Sequence, residues 1–402
     1  MRKYNVLSLF VVLIFAFNAC DDMTGDGLMD DKTGSESAYL ADGISGGTVS
    51  DGSGNGDSSQ VDIAAGQITA GEWNDLSNWT FWVNLGQNED YKGMPEYWEY
   101  NISTRISSEI KTASGNPVIN ETVQLLDEND NVIWQTKTDN LGMAELWPGL
   151  SESAAAITEM KIKVAGTTIN HIIKYSEGIN EIVLNNYPNT ITGSKIDIAF
   201  VVDATGSMSD ELEYLKVELV DVIDSVRETN ADAVINTGSV FYRDEGDEYI
   251  TRQSPFTTDV LTTVNFIKAQ SADGGGDYPE AVHSALDKAV RNLQWSSGVK
   301  SRLLFLLLDA PPHHESNVMR EMNELVIAAA AKGIKIIPIT ASGIDKETEF
   351  LMRYMAIATN GTYVFITNDS GIGGEHLEAT VGEYEVEYLN HLMVRLINKY
   401  LE

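Results

Sequence analysis

Lys195–Ser209, KIDIAFVVDATGSMS, carries an apolar-rich run from Ile196 to Val202 that ends on Asp203. Asp203, Thr205 and Ser207 then set a carboxylate and two hydroxyls at alternate positions of one tight turn. A buried parallel strand ending this way puts hard oxygen donors at the carboxyl edge of a sheet, where open α/β folds hold their ligands. The same residues also suit a plain strand, an Asp helix cap and a Ser/Thr-rich turn, so the turn has to be read with the rest of the chain.

Outward from this stretch, strand and helix patterns alternate to the C-terminus. Lys195 to Asp203 reads as a strand, Met208 to Glu228 as a helix with Leu and Val at three-and-four spacing, and Val234 to Arg243 as a second strand. Glu248 to Phe256 reads as an edge strand, and Thr258 to Ala269 and Tyr278 to Trp295 as helices. Ser301 to Leu308, Ile334 to Thr340 and Tyr363 to Thr367 follow as strands, with Met319 to Lys332, Glu347 to Ala358 and Tyr384 to Tyr400 as helices. The unbroken Leu303–Leu308 run is what a parallel strand covered by helices on both faces requires. The fold class is therefore α/β, a doubly wound and mostly parallel sheet over residues 191–402, preceded by a small all-β sandwich.

Three loops of this α/β part carry oxygen donors. The first holds Asp203, Thr205 and Ser207; the second is GGGDYPE, Gly274 to Glu280, with Asp277; the third is Asp309, followed by Ala310-Pro311-Pro312-His313-His314. Three carboxylates on one edge repel one another unless a cation lies between them, and a shared Mg²⁺, or else Ca²⁺ or Mn²⁺, is the expected occupant. Each donor also has an ordinary use, Asp277 as a helix cap and Asp309 in a Pro-rich turn.

With FYRDEGDEY at Phe241–Tyr249, GGGDYPEA at Gly274–Ala281 and LLLDAPPH at Leu306–His313, the region from 195 to 402 resembles a von Willebrand factor type A domain of the hemicentin and alpha-kinase kind. Asp203, Thr205 and Ser207 match that family's metal-ion-dependent adhesion motif. The resemblance implies a cation held by the first-loop Asp and hydroxyls, a second-loop Thr and a third-loop Asp, and open to an acidic residue of a partner. Asp277 stands where the Thr is expected. A further carboxylate there implies secure metal binding and weaker capture of an acidic partner.

Upstream, Ile102 to Leu184 shows short alternating segments separated by turns such as Asp127-Glu128-Asn129-Asp130-Asn131 and Asp139-Asn140-Leu141-Gly142. A small antiparallel β-sandwich over 102–190 is expected, and Gly115 to Leu146 resembles transthyretin-like or carboxypeptidase-regulatory-like modules, which implies a spacer or platform. Residues 66–101 crowd Trp73, Trp79, Phe81, Trp82, Tyr91, Tyr97, Trp98 and Tyr100 together. So many rings are expected to pack on the folded part rather than to form an exposed sugar platform.

The chain opens with Met1-Arg2-Lys3, an apolar core from Val6 to Phe17 and then Ala19-Cys20. That core is shorter than the roughly 20 residues a membrane span needs, so residues 1–19 read as an export signal. Phe17-Asn18-Ala19-Cys20 resembles a lipobox, which implies an acylated Cys20 as membrane anchor. Residues 20–65, rich in Gly, Ser and Asp, read as a tether. A location at the cell envelope follows.

The balance of 60 acidic against 27 basic residues, a formal charge of -33, argues against nucleic acid as a partner. One cysteine permits no internal disulfide. With no GxSxG elbow and no HExxH, no catalytic residue is assigned and enzymatic activity is not expected. The expected function is divalent-metal-dependent protein binding or adhesion at the envelope; the alternative is a structural envelope protein whose metal only stabilises the fold.

Overall fold

The computed structural model describes residues 63–102, 104–150, 160–169, 173–174, 178–188, 191 and 193–402. The export signal, Cys20 and nearly all of the tether lie outside the described residues. In chain order, β1 (Thr69–Trp73), α1 (Trp79–Leu85) and α2 (Met94–Tyr97) come first. Seven short strands follow: β2 (Ile106–Thr112), β3 (Thr122–Leu126), β4 (Val132–Lys137), β5 (Met143–Leu146), β6 (Lys161–Val164), β7 (Thr167–Ile169) and β8 (Ile179–Leu184). The α/β part comprises β9 (Lys195–Asp203), α3 (Leu212–Thr229), β10 (Val234–Tyr242), β11 (Thr251–Thr257), α4 (Val260–Lys268), α5 (Val282–Asp287) and β12 (Ser301–Leu308). It continues with α6 (Ser316–Lys332), β13 (Ile334–Thr340), α7 (Lys346–Ala358), β14 (Tyr363–Ile366), β15 (Val386–Tyr388) and α8 (Leu389–Leu401).

One sheet runs in the order β11-β10-β9-β12-β13-β14-β1-β15. The stretch from β10 to β14 is parallel, while β11, β1 and β15 join antiparallel. Every residue of β12 and β13 is buried, because helices cover both faces and leave no room for alternation. On α8, Leu389, Leu392, Met393, Leu396, Ile397 and Tyr400 recur at helical spacing and are all buried against the sheet.

Two smaller sheets, β5-β2-β8 and β4-β3-β6-β7, stand ahead of this one. Ile106, Ile110, Val123, Trp134, Leu146 and Ile162 from both sheets share one apolar cluster. The expected purely antiparallel arrangement is corrected here: β2 and β8 pair in parallel, six residues in register from Ser107↔Ile179 to Thr112↔Leu184.

Two helices also differ from their sequence patterns. Tyr278 to Trp295 becomes helical only at Val282, because Glu280 donates its backbone N–H to Pro311 O (2.9 Å) and bridges to Pro312; the helix then closes in a π turn at Lys288–Asn292. Tyr384 to Tyr400 is not helical throughout, since Val386–Tyr388 pairs with β1 before α8 begins.

The aromatic stretch from 66 to 101 gives β1 to the large sheet and lays its rings on α7. Trp82 stacks on Phe350 at 5.2 Å and Tyr100 on Tyr354 at 3.9 Å, and Trp98 Nε1 donates to Glu347 O (3.0 Å). The other side meets the small sheets through Trp79 and Trp147, 5.6 Å apart. Beneath the rings, Arg353 makes a two-pronged pair with Asp75 (2.6 and 2.9 Å) and reaches Glu349 (3.3 Å), and Tyr91 Oη donates to Glu349 (2.7 Å). All four side chains are buried, so each charge and hydroxyl depends on the others for solvation.

Candidate metal centre

β9 and β12 are neighbours whose chain connections leave in opposite directions, to β10 on one side and β13 on the other. Where strand order reverses, the loops at the carboxyl ends diverge and open a crevice. Asp203 is the last residue of β9, and Asp309 directly follows β12. Both are buried at this crevice.

The first loop is held tightly. Ala204 N donates to Tyr242 O (2.8 Å) and Gly206 N to Gly274 O (3.1 Å). A Cβ on Gly206 would stand 2.9 Å from that same oxygen, which explains the glycine. Asp203 Oδ1 accepts from Thr205 N (2.9 Å) and Thr205 Oγ1 (2.6 Å), and Thr205 Oγ1 lies 3.1 Å from Ser207 Oγ. Among the described residues, nothing hydrogen-bonds to the buried Asp203 Oδ2, and Asp309 Oδ1 is left in the same state.

The second loop brings in Glu280 rather than Asp277. Asp277 is exposed on the lip of a cavity of about 340 Å³, whereas Glu280 is 3% exposed, lines that cavity, and leaves Oε2 without a partner. The signal was present in the same GGGDYPE phrase; the turn at Pro279 and the Glu280–Pro311 pairing decide which acid faces inward.

Burial, then the charges of Asp203, Asp244 and Asp309, pushes the Glu280 carboxyl up to about 9. Burial also raises Asp203 and Asp309 above the usual carboxylate range, with the Asp203 charge adding to Asp309. The Tyr242 phenol lies near enough to Asp203 to hold its carboxyl down somewhat, but outside hydrogen-bond geometry. Among the described residues, no three His, Cys, Asp or Glu side chains already stand as a metal cluster. Asp203, Glu280 and Asp309 thus converge on one crevice without being drawn together to ligating distance. Three buried, unpartnered carboxylate oxygens beside the Thr205 and Ser207 hydroxyls form a donor set that fits a hard divalent cation.

Behind the site, the acidic loop after β10 is structural. Asp247 Oδ2 accepts from Asp244 N (3.0 Å) and Gly275 N (2.9 Å), fixing the glycine loop. Arg243 points inward, donating to Ala204 O (3.1 Å) and Ser271 O (2.9 Å). His313 Nε2 meets Asp244 Oδ1 at 2.7 Å; burial alone would lower this imidazole, and Asp244 raises it instead. His314 turns away and stacks on Tyr97 at 4.0 Å. The segment from Thr367 to Gly382 closes the far side: His376 Nε2 lies 2.9 Å from Glu211 Oε1, and Gly374 N donates to Ser342 Oγ (3.2 Å).

The family profile of the von Willebrand factor A domain matches residues 197–374. An ariadne-like RING finger protein of Acanthamoeba polyphaga mimivirus is 34% identical over 135 residues, covering 33% of this chain and 13% of that protein. The alpha-protein kinase vwkA of Dictyostelium discoideum is 29% identical over 120 residues, 29% of this chain and 19% of the kinase. The chain thus spans under a fifth of the length of either relative. Among solved structures, BatB from Bacteroides thetaiotaomicron aligns with TM-score 0.35 at 18% identity, over 52% of this chain and 98% of that one. An aerotolerance-related membrane protein from Bacteroides fragilis gives 0.33 at 17%, with the same coverage. Residues 197–374 are a von Willebrand factor A domain.

Proposed function

We propose that this protein is a non-catalytic binding module that holds one divalent cation, Mg²⁺ before Ca²⁺ or Mn²⁺, between Asp203, Thr205, Ser207, Glu280 and Asp309, and uses that face to bind a protein partner at the cell envelope. Asp277, on the lip, reaches the cation at most through water. The observation that carries the reading is the set of three buried carboxylate oxygens, on Asp203, Glu280 and Asp309, that have no partner among the described residues. A buried unpaired carboxylate is costly, and a dication offsets that cost for all three at once. Anchoring through an acylated Cys20 belongs to the same proposal; among the described residues no helix is long and apolar enough to cross a membrane.

Mg²⁺ should raise the melting temperature of the wild-type protein, and Asp203→Ala should abolish the rise. An unchanged rise in that variant would sink the cation centre. A second reading, in which the metal only stabilises the fold, is favoured by Glu280, whose carboxylate fills a position that a partner's acid would otherwise take. Partner capture from envelope extracts that is lost in EDTA and restored by Mg²⁺ supports the binding module; capture indifferent to EDTA supports the structural reading.

A further inference from the structure

We propose that the partner of this face offers it a basic side chain, lysine or arginine, seated on a Tyr97–Tyr278 rim beside the cation, and not an acidic one bound to the cation. The inference rests on the cation-centre reading above.

As ligands of a dication, Asp203, Glu280 and Asp309 would bring three negative charges against two positive ones; Asp244 close behind is paired with His313 (2.7 Å). An incoming carboxylate would enter a net negative site. A guanidinium or ammonium would enter a favourable one.

Among the described residues, no lysine or arginine lines the cavity. The nearby cations are committed elsewhere: Arg243 points inward to Ala204 O and Ser271 O, and Lys346 turns to Glu349 and Thr380. Glu280 and Asp309 are lining residues of this cavity, and Asp277 stands exposed on its lip, so its wall is acidic.

The rim supplies the matching apolar surface. Tyr278 is 42% exposed at the cavity edge and Tyr97 is 44% exposed, backed by the stacked His314. Asp345 is close enough to act on both phenols, and Glu347 acts on Tyr97 as well. Aromatic faces flanked by carboxylates are the setting in which a lysine stem or a guanidinium plane packs well. Gly206, Gly274, Gly275, Gly276 and Gly343 line the cavity beside Tyr278, so the main chain of an extended segment can approach closely. Tyr97 comes from α2, far outside the family match at 197–374, which makes this rim a property of the whole chain.

The test uses the full chain and two fluorescein-labelled synthetic peptides that differ only in carrying Lys and Arg, or Glu, at the same positions. In Mg²⁺, fluorescence anisotropy should show the basic peptide binding roughly tenfold or more tightly than its acidic twin. Glu347→Gln and Tyr97→Ser should each weaken the basic peptide by roughly threefold or more, while leaving the Mg²⁺-induced rise in melting temperature at its wild-type value. Equal binding, preference for the acidic peptide, no binding of either, or capture of neutral glycans on an array with the basic peptide silent overturns the inference. A wild-type protein with no Mg²⁺-induced rise fails at the cation centre itself; an intact rise without the basic preference fails only here.

Discussion

Glu280 buries its carboxyl beside Asp203, Asp244 and Asp309, and burial first, then those charges, raises it to about 9. Between the value of a free glutamate, about 4.3, and that raised value, the folded chain keeps a proton that the unfolded chain releases. The stabilising contribution is therefore complete at low pH and drains away as pH rises toward 9. In EDTA, the melting temperature should fall between about pH 5 and pH 9, and Glu280→Gln should flatten that fall by about 2–4 °C for each kcal/mol of repulsion removed. Mg²⁺ should stabilise the wild type more at about pH 8 than at about pH 5, because ligands must shed protons to bind it. The placement of Asp203, Thr205, Ser207 and Asp309 at the carboxyl edge of the sheet could be read from the sequence, because each sits at or just past the end of an apolar strand. The choice between Asp277 and Glu280 could not. It depends on the backbone pairing of Glu280 with Pro311 across to the third loop.

Among the elements, β9, β12 and β13 run over the ranges that their apolar patterns mark, since burial on both faces writes itself as a continuous run. β1 and β15 had no comparable signature. Each is short, and each exists because the other lies beside it, Ala70 opposite Glu387, with β14 on the far side of β1. Gly71 is the tight point of this pairing, where an added Cβ would lie 2.6 Å from the Phe365 ring and 2.7 Å from that of Tyr384. Gly71→Val should destabilise the protein by about 1–3 kcal/mol in urea titration, through overpacking. The pairing also bears on α8: Leu389 N donates to Ile68 O (2.8 Å), so a shift of the terminal helix would pull on β15 and β1 together.

At the scale of the whole molecule, the aromatic segment joins the other parts. It covers α7 with Trp82, Trp98 and Tyr100, and it supplies Asp75 to the buried Arg353. Arg353→Met should leave Asp75 buried without its cation, while Glu349 keeps Lys346 (3.1 Å), and cost about 3–5 kcal/mol in denaturant melts. A chain cut to residues 191–402 loses β1 from its sheet and uncovers Phe350 and Tyr354, so it should aggregate or stay poorly folded, as judged by gel filtration and amide dispersion. A well-folded monomeric fragment would contradict this account. The small sheets are tied on as well, through Arg302 to Asn120 Oδ1 (2.8 Å) and Asn140 to Lys399 O (2.8 Å). The amino-acid sequence by itself determined the parallel sheet, its helical covering and which polar residues stand at its strand ends, because those follow from local periodicity and from what stands directly after an apolar run. Only the tertiary structure decided that β1 completes the sheet, that β2 and β8 run in parallel and that Glu280 turns inward, because each depends on backbone pairing between segments far apart in the chain, and no local pattern records the partner.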